Sequence, residues 1–203
     1  MSRYNKEAWD KLVETMKADI PGFEVGYKDE SKLQKVIAKI SFWNKYEDYI
    51  TTMYPKVYFP NREYVETHLP VPTLEHEWVH LKDQKTFFGL LPKLPAWLNM
   101  TLFSLLYISP QIFALGAVLA VFSPWWLLCL LFLAPLPAPG RAWAEVRAYR
   151  RSLEHGSDIE RIADAYVGAG YYFMWPFRKH VLKWLDAKPS PYVLEMDTYI
   201  AKD

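Results

Sequence analysis

The sequence predicts an α+β fold, mostly helical, with a small sheet that presents an edge strand and an inserted apolar helical hairpin. Three observations predict it. Apolar residues recur at helical spacing in several separate stretches; one stretch, YITTMYPKVYFPNREYVE at 49–66, is rich in β-branched and aromatic residues; and the 47 positions between Lys93 and Arg141 carry no charge. A chain of 203 residues is expected to form a single domain, 1–203, interrupted by the apolar insertion 94–140.

Each element follows in chain order. Residues 5–18 place Ala8, Leu12, Val13 and Met16 on one helical face, and Ile20-Pro21-Gly22 ends that helix. FEVGY at 23–27 alternates like a short strand, and 31–42 returns to helical period through Leu33, Val36, Ile37 and Ile40. The 49–66 stretch, interrupted by Pro55 and the turn-forming Pro60-Asn61, predicts two short strands. Proline removes a ladder donor, so 57–59 is expected at a sheet edge, where an extended peptide can add as a further strand. Pro70 and Pro72 suit the first turn of a helix whose apolar face is Leu74, Trp78 and Leu81. Beyond the insertion, RAWAEVRAYRRSLE at 141–154 predicts a helix, 157–175 another with Ser157 as N-cap, and FRKHVLKWLDA a last amphipathic piece before a tail without motifs.

Composition narrows the classes of function. Lys and Arg total 24 against 23 Asp and Glu, so no net field favours a nucleic-acid partner. Cys129 is the single cysteine, which excludes an intrachain disulfide and a Cys-based zinc ribbon. Any metal is therefore expected on histidine and carboxylate. The amino terminus is charged and amphipathic, without the apolar run of a cleavable signal peptide.

The helix after Pro72 carries His76-Glu77-Trp78-Val79-His80, an H-E-x-x-H sequence. Four residues make slightly more than one turn, so the two imidazoles project from one face and can share a tetrahedral ion. Glu77 stands about 100° round the helix from His76, placed to take a proton from an attacking water and return it to the leaving amine. Two ligands do not complete a catalytic zinc site, which takes three from the protein and leaves one corner for water. Asp83 and Thr86 stand where the glycine and the third histidine, respectively, would follow in metzincins. The third ligand must lie farther on. Glu145, beside the small Ala144, is the best candidate, with Glu154, Glu160 and Asp164 as alternatives. Tyr149, Arg147, His155 and Tyr166 are available to stabilise developing charge on the substrate oxygen, whereas His68 and His180 are expected to be structural or solvated.

The H-E-x-x-H sequence, an apolar insertion and then E-x-x-A together resemble the gluzincin group of zinc metallopeptidases. They come nearest to the membrane-embedded gluzincins, which include the CAAX prenyl proteases and bacterial heat-shock membrane proteases. The resemblance implies a zincin-like domain, Zn2+ as cofactor, His76, His80 and Glu145 as its ligands, and Glu77 as general base. In those families the second motif reads E-x-x-A-D, but Glu145-Val146-Arg147-Ala148 is followed by Tyr149. Support of a liganding histidine would then pass to Tyr149 or Asp83.

The insertion poses a membrane question, because 47 uncharged positions can hold two spans of about 20 residues. Lys82, Lys85 and Lys93 precede it and Arg141, Arg147, Arg150 and Arg151 follow. Basic residues on both flanks suit a hairpin with the site on the cytoplasmic side. Pro110 and Pro124 divide the stretch and leave at least one segment short for a full crossing, so a re-entrant segment, or three helices buried in a larger assembly, are the other expectations. The sequence thus points to a zinc metallopeptidase acting on a peptide or protein substrate at a membrane or large hydrophobic assembly. Two alternatives are a non-catalytic membrane or assembly component, for example of a virion, with a structural metal site or none, and a hydrolase of peptidoglycan peptides.

Overall fold

The structure, a computed structural model, describes residues 6–40, 46–107, 110–134, 136–168, 171 and 174–187. These are mostly helical with one three-stranded sheet, and the chain divides into two compact units, one up to Met100 and one from Thr101 to Ser190.

In the first unit, α1 (Lys6–Asp19) turns Trp9, Leu12 and Met16 inward. Strand β1 (Glu24–Tyr27) runs parallel to β3 (Lys56–Phe59), and β2 (Thr51–Met53) pairs antiparallel to β3, giving the order β1-β3-β2. Helix α2 (Lys32–Ile40) buries Gln34, whose amide bonds the Tyr46 hydroxyl and lies 3.2 Å from Met53 Sδ. Leu33 and Val36, the expected inner face, are exposed instead. Helix α3 (Arg62–His68) starts where Asn61 Oδ1 accepts from the Tyr64 amide at 2.7 Å. This corrects the extended reading of 62–66, because a side-chain cap satisfies an amide that would otherwise lack a partner in the first turn.

Helix α4 (Val71–Thr86) follows, with proline in its first turn as expected. It packs on α1 and on strands β2 and β3. Trp78 Nε1 donates to Asp19 Oδ2 at 2.7 Å, and Lys82 Nζ lies 3.5 Å from the same oxygen. The site helix is thereby fixed between a helix and the sheet. The strand expected at the edge, 57–59, is central, with Val57 and Phe59 buried, and β2 is an edge. Proline stands beside β3 at 55 and 60, outside the paired residues, so its missing donor does not force β3 outward.

The second unit takes the end of α5 (Ala96–Tyr107), two 3₁₀ helices (Pro110–Val121 and Pro124–Leu133), α6 (Pro139–Glu154), α7 (Ile159–Val167) and α8 (Arg178–Asp186). Its core joins Ala138, Ala142 and Val146 to Ile162, Tyr166, Met174, Val181 and Leu185. The 3₁₀ helices pack on one another as a hairpin, and a Cβ at Gly116 would stand 2.8 Å from Cys129 Sγ, so glycine permits the approach. Outward the hairpin is apolar: Val118 is 72%, Val121 82%, Phe122 83% and Trp125 77% exposed.

In this unit proline divides the apolar stretch as the sequence predicts, and one expectation is corrected. Among the described residues no helix is long and apolar enough to cross a membrane; Pro110 and Pro124 each begin a new helix and divide the stretch. The helix expected over 157–175 is α7 alone, because Asp158 rather than Ser157 accepts from the Glu160 amide and Gly168 ends it. The motifless tail lies outside the described residues.

Candidate metal centre

Twelve residues of α4 are buried, among them Glu75, His76, Glu77, His80, Lys82, Asp83 and Gln84. A helix with so much buried polarity requires internal partners. The imidazoles of His76 and His80 face one another with ring centroids 5.0 Å apart at 76°. Glu145 is buried on α6, and one ligand atom from each of His76, His80 and Glu145 lies within 4.8 Å of the others. They form the one group of three such side chains found among the described residues that could hold a metal ion. Two imidazole nitrogens and a carboxylate oxygen are the donors a catalytic zinc takes from protein, with a corner over for water.

Glu77 is buried on the same helix, and Thr52 of β2 donates its hydroxyl proton to Glu77 Oε2. An edge strand thus touches the candidate base. Glu145 accepts from the Tyr107 hydroxyl, and the Arg141 guanidinium lies 5.4 Å from the ring centroids of both Tyr107 and Tyr171. Burial works against the Arg141 charge, but Tyr107 and Glu145 outweigh it and its pKa is raised. Tyr166 and Tyr171 are pushed well above the usual phenol value of 10.0, first by burial and then by the Glu145 charge. Both phenols remain protonated near neutral pH.

The remaining candidates are placed as follows. Tyr149 bonds Tyr171 through their hydroxyls, and its ring is 5.9 Å from that of Tyr166. Arg147 is buried with its guanidinium 5.6 Å from the Trp143 ring centroid, and His155 stands at the end of α6 with its amide donating to the Ser152 carbonyl. Asp83 is wholly buried, and its backbone carbonyl accepts from the Phe88 amide at 3.0 Å. Neither Asp83 nor His155 is in the metal group. The alternative third ligands are engaged in ion pairs, Glu154 with Arg151 and both Glu160 and Asp164 with Arg178. His68 Nδ1 bonds the Tyr64 carbonyl at 2.9 Å, and the His180 ring lies tilted beside Phe177 and Trp184.

Thr52, Tyr107 and Arg141 are the neighbours whose part in the site the sequence does not single out. Tyr107 stands 38 positions before Glu145, and no local spacing links a residue in an apolar run to a carboxylate so far away. Comparison of the chain with protein-family models, with curated proteins and with solved structures finds no match.

Proposed function

We propose that the chain is a zinc-dependent metallopeptidase. The observation that carries this reading is the convergence of His76, His80 and Glu145 on ligand atoms within 4.8 Å, with the buried carboxylate of Glu77 on the same helix. A zinc ion held there would lower the pKa of its bound water to about 7. Glu77 would take the water proton and return it to the leaving amine, while Thr52 holds one of its oxygens. Strand β2 would align an extended peptide by backbone pairing, and it replaces β3 in that role because it is an edge.

The hairpin supports a second part of the reading, attachment to a lipid bilayer. Its two helices contain no charged residue and turn large apolar side chains outward on both arms. Helices apolar all round suit surroundings that are themselves apolar. At about 2 Å per residue the twelve residues of Pro110–Val121 measure roughly 24 Å, less than the hydrocarbon thickness of about 30 Å. The hairpin would enter from one side and return. Of the flanking cations, Lys82 and Lys85 face Asp19, Arg141 lies against Tyr107 and Tyr171, Arg147 against Trp143, Arg150 donates to the Trp184 carbonyl and Arg151 pairs with Glu154, while Lys93 is exposed and would favour a cytoplasmic headgroup layer. The same exposed hairpin favours the rival reading, a non-catalytic assembly component.

Elemental analysis and one substitution separate the two. Detergent-purified protein should carry one zinc per chain and cleave unfolded protein, and Glu77→Gln should keep the zinc but lose turnover by roughly 10²–10⁴-fold. A correctly folded, metal-free chain would overturn the enzyme reading. Release of peptides from murein, with unfolded protein left intact, would instead identify a peptidoglycan hydrolase.

A further inference from the structure

We infer that Tyr107 is a positioning residue: it orients the Glu145 carboxylate as third ligand and is itself braced by Arg141. The inference rests on the metal reading above. It begins at a glycine. A Cβ on Gly140 would come within 2.4 Å of both the Leu106 side chain and the Leu106 carbonyl oxygen, so the start of α6 can lie against the end of α5 only without a side chain there. That contact brings the next residue of α5, Tyr107, to the Glu145 side chain nearly two turns into α6.

The ring of Tyr107 is held from two directions. Phe103, one turn earlier, stacks on it with centroids 5.4 Å apart and planes at 20°, and the Arg141 guanidinium lies 5.4 Å from its centroid. So fixed, the hydroxyl donates to Oε1 of Glu145. A carboxylate has two oxygens, and a hydrogen bond to one sets its rotation while the other remains for an ion. The histidines share one helix, and neighbouring turns of α4 already place them on one face. Glu145 comes from a distant helix on a flexible side chain, and it is the ligand whose aim depends most on an outside donor.

Tyr107→Phe tests this while leaving the ring and its stacking in place. Zinc affinity, measured by competition with a chromophoric chelator, should fall by about 10–100-fold, and the visible absorption of the Co2+-loaded protein should shift as the carboxylate changes its mode of binding. Tyr171→Phe removes a hydroxyl from the same aromatic cluster, but one bonded to Tyr149 rather than to Glu145, and should leave affinity and spectrum unchanged. Equal affinity and an identical Co2+ spectrum for Tyr107→Phe and wild type would overturn the inference. So would equal weakening in both variants, which would assign the effect to packing of the cluster. Wild-type protein that binds neither ion would remove the metal reading, and this inference with it.

Discussion

Helix α4 and the 3₁₀ hairpin sort their residues in opposite ways. The helix buries His76, Glu77, His80, Lys82 and Asp83, whereas the hairpin leaves Val118, Val121, Phe122 and Trp125 exposed. Buried polar groups are costly unless they are bonded, and large exposed apolar patches are uncommon on proteins that remain free in water. Each region therefore departs from the usual sorting of residues in the opposite direction. On the proposed reading, the difference teaches that one chain carries two separate demands on its surroundings, a cation for the helix and a hydrocarbon for the hairpin, which separate substitutions can probe.

Four substitutions break or sharpen that contrast. Glu145→Ala should have the largest effect, weakening zinc binding by more than the about 10–100-fold that loss of an outer hydrogen-bond partner costs. Zinc competition measures it, and undiminished affinity would show that the buried polarity of α4 does not serve a three-ligand site. On the hairpin, Val118→Asp places a charge where the side chain is exposed; at about 2.5–3.5 kcal/mol per charge in an apolar helix centre, sedimentation with lipid vesicles should report roughly a hundredfold weaker partition. Zinc content should not change. Asp19→Ala removes the acceptor of Trp78 and the carboxylate facing Lys82 and Lys85, and should destabilise the protein by about 1–3 kcal/mol in urea unfolding.

The smallest effect concerns Lys28. Burial lowers its ammonium from 10.5 to about 8, against the raising pull of Asp48, Glu47 and Glu77. A lysine that binds its proton more weakly when folded carries its charge penalty in full below the folded pKa, and the penalty is relieved as pH rises towards the unfolded value. Wild type should therefore gain stability relative to Lys28→Met between pH 8 and 10.5, and urea titrations across that window check the slope. A flat difference would mean that this buried cation is neutralised by its neighbours.

Much of the helical pattern is legible in the sequence because it is local. α1, α4, α6 and α8 follow from apolar spacing and proline placement, and H-E-x-x-H needs only one turn to bring two imidazoles together. What is not legible depends on partners far along the chain. β3 becomes central because β1 joins it from 32 residues earlier, and neither strand encodes that choice in its own composition. Gln34 displaces Leu33 and Val36 from the inner face of α2 because the Tyr46 hydroxyl and Met53 sulfur meet it there. At the site, Glu145 could be chosen among four carboxylates by its motif, while the ion pairs that engage Glu154, Glu160 and Asp164 become visible only with Arg151 and Arg178 in place. Tyr107 and Thr52 carry no signature at all, being ordinary members of an apolar run and a short strand.

On the proposed reading of a membrane-attached metallopeptidase, the brevity of β2 has a bearing on selectivity. Three residues offer an incoming chain only about two main-chain hydrogen bonds, too few to grip a target unaided or to discriminate much of its sequence. Productive encounters would then depend on crowding at a shared surface, where tethering raises the effective concentration of a neighbouring polypeptide. An enzyme of this design would act by proximity, trimming whatever unfolded segment lies beside its anchor.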